Sequence, residues 1–534
     1  MTHPRHVFLS GPMGAGKSTV GPLLASAIGA TFVDLDTSLE RETGMRIAEI
    51  FRSRGEATFR RLEADVVRRL VAHERRGVFA LGGGTVEDPE TRAFLLDRGV
   101  LVTLSAPLAS LVSRTTSDPR SPTSRPLLAG DAPSAALARI LERRADAYAE
   151  AHRVIDTSEG GPEEIAARIA RWLPLDERSI CVQLGRRSHR VVIARGALAS
   201  LGDELAALEP SRLVIVTDAN VRAEAARWLS STTTPMTWVE LAPGEANKSI
   251  ASIERIWDAA IEAHVDRRAV VVAVGGGVVG DLAGFAAATL LRGVRVVQVP
   301  TSLLAMVDSS VGGKTAIDRA QGKNLVGAFH QPSLVVCDVD ALASLPGREL
   351  RAGMAEIVKT AWIEGEGDVA ALERDAERLL ADDDEGRAAR ERAIHRAVRT
   401  KARIVASDET EQGARRLLNF GHTLGHAVEA ASGYALVHGE AIAIGLVAAL
   451  RLSVQLGHAE PAHVARMTAL LERLGLPVAW PGHGAEALAR YLAVDKKSEG
   501  EQLRFVVAGA PGRVRGVVVR RAQVLALVDA LARG

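Results

Sequence analysis

Only two cysteines, Cys181 and Cys337, occur in the 534 residues, so neither a disulfide framework nor a thiolate metal cluster can be built. Nor is there an excess of charge of either sign: 66 Lys and Arg face 65 Asp and Glu, a formal net charge of +1. Bulk electrostatics therefore give no reason to expect a nucleic-acid or membrane partner. A signal-peptide layout is also missing, since His6-Val-Phe-Leu-Ser10 runs straight into a glycine-rich turn. The longest apolar stretch, residues 269–291, is broken by glycines and Asp281 and makes a poor membrane span. A cytoplasmic chain is expected. Its 47% apolar and 25% charged residues are ordinary for a globular protein, and its length suggests about three to four domains.

What is present begins with a phosphate cradle. Residues 7–10 read as a short buried strand, and Gly11-Pro-Met-Gly14-Ala-Gly16-Lys17-Ser18, followed by Thr19, completes the P-loop pattern. A helix is expected over residues 17–28. Glycines there let successive N–H groups turn inward onto phosphate oxygens. Lys17 is expected to reach the β- and γ-phosphates, and Ser18 to give an oxygen to Mg2+. Phe32-Val-Asp34-Leu-Asp36 reads as a strand end with both carboxylates on one side, because strand side chains alternate. Asp34 is placed to hold water on Mg2+, and Asp36 to accept a hydroxyl proton or hydrogen bond. Further on come Gly55-Glu56, Phe59-Arg60 and Glu63, then Gly82-Gly83-Gly84 after a strand at 78–81. Arg125-Pro-Leu-Leu follows a Ser/Thr/Pro-rich segment, and Arg144 sits in a helical run over 135–149. One arginine alone is ordinarily a solvated surface charge, but a set of them suits a carboxylate or phosphate through forked donors.

Together these residues resemble shikimate kinase over about residues 5–173. The resemblance implies that Gly14, Gly16, Lys17, Ser18, Thr19 and Asp34 serve ATP and Mg2+. It implies that Asp36, Arg60, Gly83 and Arg144 grip shikimate, the arginines taking its carboxylate. Arg125, beside a polar lid at about residues 115–124, would close over the transferring phosphoryl group. Trp172-Leu-Pro174 then ends the last helical pattern, and a strand restarts over 179–184. The junction is too short for a long tether, so the two parts are expected to fold separately.

Residues 213–217 followed by Asp218, and 269–274 followed by Gly275-Gly-Gly277-Val-Val-Gly280-Asp281, look like parallel strands feeding glycine turns. The second satisfies G-x-G-x-x-G literally, yet residues 290–305 hold no Asp or Glu to bind a ribose about 20 residues on. Pyrophosphate on this turn is the expectation, with Asp218, Glu245 and its partner Lys248 as candidates for the ribose. Next come Arg292-Gly, Pro-Thr301-Ser302, Asp308-Ser-Ser-Val-Gly-Gly-Lys314-Thr and Gly-Lys323-Asn324. Basic residues flanked by glycines at strand ends suggest an anionic, phosphate-bearing substrate.

After about residue 345 the pattern turns helical. Glu356 and Lys359, three apart, share a helix face. Lys401, Glu411 and Arg415 precede Asn419-Phe-Gly-His422-Thr-Leu-Gly-His426, and His438 follows a turn-like segment. His422 and His426 are spaced to project from one helix face. Two of the three imidazoles plus a carboxylate, for which Glu356 is the obvious candidate, make a three-ligand site with an open position. Thr423 stands where the His-Glu-x-x-His motif needs its glutamate, so the protease reading fails. A polar run at 381–386 reads as a solvated loop, and Asp495-Lys-Lys497 adds positive charge before a strand at 503–508.

Residues 179–534 thus resemble 3-dehydroquinate synthase, and the whole chain resembles the fusions of the two enzymes. The resemblance implies an α/β chain: a P-loop kinase domain (1–174), an α/β NAD-binding domain (175–344) and a mainly helical metal and substrate domain (345–534). It implies that Glu356, His422 and His438 hold Zn2+ or Co2+, with His426 beside the substrate as a polar or proton-relay group. Asp218, Glu245, Lys248, Gly277, Gly280, Asp281, Thr301 and Ser302 are the expected NAD+ contacts. Asp308, Lys314, Lys323, Asn324, Lys359, Lys401, Glu411 and Arg415 would meet substrate hydroxyls and carboxylate; Arg292, Asn419, His426 and Lys497 would meet its phosphate. Lys17, Asp36 and Arg125 in the kinase, and Lys314, Lys359, Arg415 and His426 in the synthase, are the candidates for chemistry. The sequence departs from the family at Asp318, where Asn is more usual, and this touches a local loop contact. Small-molecule substrates are expected, with homodimerisation through the synthase part by family analogy. The competing readings are another sugar-phosphate cyclase of secondary metabolism, a polyol dehydrogenase, and a non-catalytic nucleotide-sensing module in place of the kinase.

Overall fold

The structure is a computed structural model of the 534-residue chain. It describes residues 5–74, 76–117, 133–480, 488, 498–499, 502–524 and 526. The chain divides into two compact units, Met1–Arg190 and Val191–Gly534.

The first unit is built on five parallel strands in the spatial order Thr31–Asp34, Gly77–Ala80, His6–Ser10, Gly99–Ser105, Arg153–Asp156. Strands buried on both faces need apolar residues at every position, and His6–Ser10, Gly77–Ala80 and residues 99–104 are buried throughout. Alternate side chains feed two cores. Val7, Leu9, Val100 and Val102 pack with Leu24 and Ile169 on one face, while Phe8, Phe79 and Leu101 pack with Leu39 and Val67 on the other. The chain leaves His6–Ser10 at the point where successive connections go to opposite sides, and a crevice opens beyond the strand ends there. The P-loop occupies that place, ahead of the helix Lys17–Ile28.

Two sequence expectations change here. Asp34 and Asp36 do not share a strand face. The strand ends at Asp34, whose side chain caps the helix Leu35–Thr43 by accepting from Thr37 N at 3.1 Å, and Asp36 lies in that helix's first turn. An aspartate at the end of a short strand is as good an N-cap as a strand residue, and the cap won. The polar run at 381–386 is a loop only as far as Asp383, which accepts from Gly386 N at 2.7 Å and caps the helix Asp384–Ser407. Acidic residues gathered at a helix start favour the helix.

At the end of the first unit Asp176 is buried between two arginines, Arg153 Nε at 2.6 Å and Arg190 Nη1. Arg153 also lies 4.2 Å from the Trp172 ring centroid.

The second unit holds parallel strands in the order Leu334–Asp338, Arg295–Pro300, Val270–Gly275, Leu213–Asp218, Met236–Leu241. The helices Ile250–Glu262 and Gly277–Thr289 bury Ile253, Ile256, Leu282 and Ala286 against one face. An antiparallel hairpin, Lys314–Arg319 with Gly322–Phe329, follows. The chain then becomes helical from Gly347–Glu364 to Pro461–Arg473, and a ribbon of Gln502–Ala508 with Val514–Arg520 packs behind it. Trp362 anchors that ribbon by donating to Gly509 O at 3.1 Å. Among the described residues no helix is long and apolar enough to cross a membrane.

Candidate functional sites

In the first unit the P-loop glycines are required by shape. Gly11, Gly14 and Gly16 have φ of 128°, 80° and 98°, and a Cβ on Gly11 would lie 2.1 Å from Leu104 O. Lys17 donates to Gly11 O and Pro12 O at 2.7 and 3.0 Å. Ser18 Oγ donates to Asp34 Oδ2 at 2.8 Å, so the two oxygens expected at Mg2+ are already neighbours.

The triple glycine gathers the other expected residues. A Cβ on Gly82 would meet Glu63 Oε1 at 2.1 Å and Asp36 Oδ1 at 3.1 Å; one on Gly84 would run into the Arg60 guanidinium at 2.3 Å. Gly83 O accepts from Arg144 Nη1 at 2.9 Å and from Tyr148 OH at 2.6 Å. Asp36, Arg60, Gly83 and Arg144 therefore surround one segment. Arg60 is held by Glu63 at 2.8 Å and Glu56 at 3.3 Å. Arg144 is buried and pairs with Glu87, but its Nη2 has no hydrogen-bond partner. A buried guanidinium N–H without an acceptor marks a place where an anionic ligand is wanted. The Asp36 side chain reaches solvent inside a crowded concavity. Loss of water there, then the carboxylates of Glu63 and Asp34, push its pKa up to about 6. Arg125 lies outside the described residues.

The sequence reading missed Glu87 and Tyr148, which orient the arginines, and Arg114. Arg114 Nη1 donates to Thr157 Oγ1 at 3.0 Å and lies 3.4 Å from Gly14 O, and its Nη2 donates to Thr157 O at 2.7 Å. No local motif surrounds these three.

In the second unit, three helices approach closely because glycines stand where they touch. A Cβ on Gly439 would lie 1.9 Å from Ala352 O, one on Gly445 2.1 Å from Gly421 O, and one on Gly425 2.7 Å from Ile442 Cδ1. This brings Glu356 on Gly347–Glu364, His422 at the start of His422–Ala431, and His438 at the start of His438–Gln455 into one cluster. His422 Nε2 and His438 Nε2 lie 3.4 and 3.6 Å from Glu356 Oε1. Metal–ligand bonds of about 2.0–2.1 Å in a tetrahedron put ligand atoms about 3.4 Å apart, so these three suit one small divalent ion. Both ring orientations fit: His422 Nδ1 faces Phe420 O at 3.2 Å and His438 Nδ1 faces Glu429 Oε2 at 3.4 Å, leaving each Nε2 inward. Glu356 is fully buried with neither oxygen hydrogen-bonded, although Lys359 Nζ is in ion-pair contact.

The charges agree. Burial alone would raise the Glu356 pKa, but Lys359 and His422 outweigh it and hold it at about 2. Burial and Lys359 keep His422 neutral. Burial opposes charge on His438 as well, yet Glu356 and Glu429 lift it to about 9, so an ion bound there would displace a proton from its inward nitrogen. His426 is exposed, and its ring nitrogen comes within 4.8 Å of those of His422 and His438, so a three-histidine set is a geometric alternative. The burial of Glu356 and its closeness to both Nε2 atoms favour the Glu-His-His set.

Around this cluster, Lys401 donates to Asp308 O at 2.6 Å and pairs with its carboxylate. Burial would raise Asp308, but Lys401 and Lys359 hold it well below the usual carboxylate range; burial lowers Lys401 to about 8. Glu411 bridges Lys314 Nζ and Asn419 Nδ2, the latter at 2.6 Å. Arg415 donates to Gly312 O at 2.9 Å. On the other side Lys248 pairs with Asp281 at 2.5 Å and donates to Asn324 Oδ1 at 2.6 Å. Burial, only partly countered by Lys248, pushes Asp281 up to about 6. Glu245 lies 3.8 Å from both Lys248 and Lys323.

The glycine turn is shaped as expected: Gly277 opens its helix, Gly280 packs on Gln298, and Thr301 N donates to Gly275 O at 2.9 Å. A Cβ on Gly276 would lie 3.7 Å from Ser302 Oγ. Asp318 Oδ1 accepts from Asn324 N at 2.8 Å, so aspartate keeps this loop contact. Asp218 ends its strand bonded to Asn220 N and is not joined to the Lys248 group by any contact described. Arg292 is exposed in a left-handed turn at φ 65°, its side chain facing solvent. Lys497 lies outside the described residues.

Both parts of the chain match known protein families. The family model for shikimate kinase matches residues 13–174, and those for the N-terminal and C-terminal parts of 3-dehydroquinate synthase match 238–352 and 353–498. The chain is 48% identical to the 3-dehydroquinate synthase of Nitrobacter winogradskyi over 357 residues, 63% of this chain and 91% of that one. Its fold is similar to 2-deoxy-scyllo-inosose synthase complexed with carbaglucose-6-phosphate, NAD+ and Co2+. The TM-score is 0.62 at 25% identity, covering 66% of this chain and 99% of the other. It is also similar to 2-epi-5-epi-valiolone synthase from Streptomyces hygroscopicus with NAD+ and Zn2+ bound. There the TM-score is 0.57 at 29% identity, covering 65% and 97%.

Proposed function

We infer that this chain, which belongs to the 3-dehydroquinate synthase family and carries a shikimate kinase ahead of it, runs its two reactions at the two independent sites described above. It is a bifunctional enzyme of the shikimate pathway. One half phosphorylates shikimate with ATP; the other cyclises 3-deoxy-D-arabino-heptulosonate 7-phosphate to 3-dehydroquinate with release of phosphate. The 2-deoxy-scyllo-inosose and 2-epi-5-epi-valiolone synthases are more distant, at 25% and 29% identity against 48% for the 3-dehydroquinate synthase.

In the kinase, the P-loop amides and Lys17 cradle the nucleotide phosphates, and Ser18 and Asp34 hold Mg2+. Arg60 and Arg144 take the shikimate carboxylate, the unpaired Nη2 of Arg144 supplying a donor. Asp36 accepts the proton of the attacking hydroxyl.

In the synthase, Glu356, His422 and His438 fit a divalent ion of the Zn2+ or Co2+ class, and the glycine turn with Asp281, Lys248 and Glu245 fits NAD+. When bound, NAD+ would supply a reversible hydride acceptor for an alcohol carbon of the substrate, and the ion would supply a Lewis acid for the oxygen on that carbon. Lys314, Lys359 and Arg415 supply positive charge for the substrate carboxylate. Asn419, Arg292 and Lys497 address the phosphate, and Asp308, Asn324 and Lys401 orient hydroxyls. His426, exposed beside the metal cluster, relays protons. Soluble phosphorylated substrates suit a cytoplasmic enzyme, and self-association through the synthase part follows the family analogy.

The observation that carries the synthase reading is the convergence of two Nε2 atoms on one buried carboxylate at 3.4 and 3.6 Å. The test measures both reactions on one preparation. After chelator treatment and return of Mg2+ alone, ADP formation with shikimate should be intact, while phosphate release from the heptulosonate phosphate should need added Zn2+ or Co2+. Lys17→Met should abolish the first activity and spare the second; a large loss of synthase activity in that variant would overturn independence of the sites.

A further inference from the structure

Glu429 is buried, and none of the roles above uses it. It stands on the helix that begins with His422, and both of its carboxylate oxygens are engaged. Oε2 lies 3.4 Å from His438 Nδ1, and Oε1 accepts from Lys323 Nζ at 2.9 Å. Lys323 comes from the hairpin strand Gly322–Phe329, sits 4.5 Å from the Tyr434 ring centroid, and lies 3.8 Å from Glu245 on the dinucleotide side. The two inward-facing imidazoles are thus secured differently. His422 is oriented by the backbone carbonyl of Phe420, whereas the orientation of His438 hangs on one side chain.

We propose that Glu429 is the positioning residue of the metal site: it fixes His438 as the Nδ1–H form, so that Nε2 faces Glu356, and through Lys323 it fastens the hairpin to the same histidine. This rests on the reading that Glu356, His422 and His438 hold the ion. A carboxylate behind a ligating imidazole orients the ring and makes its other nitrogen a better donor, and loss of such a partner weakens metal binding about 10–100-fold. Among the described residues facing His438, Glu356 is reserved for the ion, so no other carboxylate is in place to substitute for Glu429.

The test uses the full-length protein stripped of metal, with Zn2+ affinity read by competition against a chromophoric chelator and geometry read from the absorption bands of bound Co2+. Glu429→Gln keeps the shape and an acceptor oxygen but loses the charge; Glu429→Ala loses both. Zn2+ affinity is expected to fall about 10–100-fold, more for Ala than for Gln, with altered Co2+ bands. The melting temperature of the metal-free protein serves as the folding control, and Glu429→Gln alone carries the test if Glu429→Ala does not fold. His422→Ala is the reference. If it loses metal while both Glu429 variants bind Zn2+ within twofold of the parent, this proposal is wrong and the ligand set stands. If His422→Ala keeps metal, the ligand set itself falls.

Discussion

Replacing Gly439 by alanine should separate metal binding from folding. A Cβ at this position would lie 1.9 Å from Ala352 O and 2.4 Å from its carbonyl carbon. Real Cβ contacts stay beyond 3.0 Å, so the two helices must part by at least about 1.1 Å. Gly439 follows His438, and Ala352 lies one turn before Glu356. The displacement therefore acts directly on the 3.6 Å between His438 Nε2 and Glu356 Oε1. A metal site tolerates only about 0.2 Å in each bond. For the fold the balance is milder. Overpacking costs about 1–3 kcal/mol, and alanine offsets about 1 kcal/mol of that by its better helix propensity. The expected outcome is a folded protein whose Zn2+ affinity has dropped at least about 100-fold, with synthase activity lost accordingly. Kinase activity on the same chain should not change. Chelator competition, melting curves and the two activity assays on one preparation decide it. A folded variant with parental Zn2+ affinity would refute the argument that these helices are held at metal-binding distance by the missing side chain.

The kinase offers two further checks. Arg144→Lys removes the fork and the buried Nη2, so KM for shikimate should rise about 10–100-fold, as one charged hydrogen bond contributes about 1.5–3 kcal/mol; an unchanged KM would remove Arg144 from the carboxylate. The raised pKa of Asp36 sets a pH profile: kcat/KM for shikimate should fall below about pH 6, where the base becomes protonated, and level off above it. The stability sign is the reverse. The ionised form is the one penalised in the folded protein, so Asp36→Asn should melt higher than the parent at pH 7–8, an advantage that shrinks as pH falls toward the ordinary value of 3.8. A flat kcat/KM profile between pH 5 and 7 would contradict the assignment of Asp36 as base.

What could be read from the residues alone depended on how local the physics was. The P-loop was legible because one short segment contains both the positive-φ glycines and the lysine that reaches back onto them. Glu356 and Lys359 were legible because a helix places residues three apart in contact. Asp36 was assigned the right neighbourhood for the wrong reason, since the periodicity of a strand was extended two residues past the cap that ends it. Glu87, Tyr148 and Glu429 were invisible because each acts on a residue brought close only by the fold, and an isolated glutamate on a helix reads as surface. Gly439 and Gly445 carried a signal that went unused. Glycine inside a helix costs stability, so its presence there indicates that something else must come close.

The forked contact of Asp176 bears on how the two catalysts could be taken apart by molecular cloning. A kinase fragment trimmed at Pro174, inside the last turn of the helix Pro162–Asp176, would lose Asp176, the buried carboxylate that Arg153 Nε meets at 2.6 Å. Removing one partner of a buried ion pair costs about 3–5 kcal/mol, a large share of what holds a small domain together. A fragment continued to Arg190 would keep Asp176 and both its arginines, and would be the piece to express by itself.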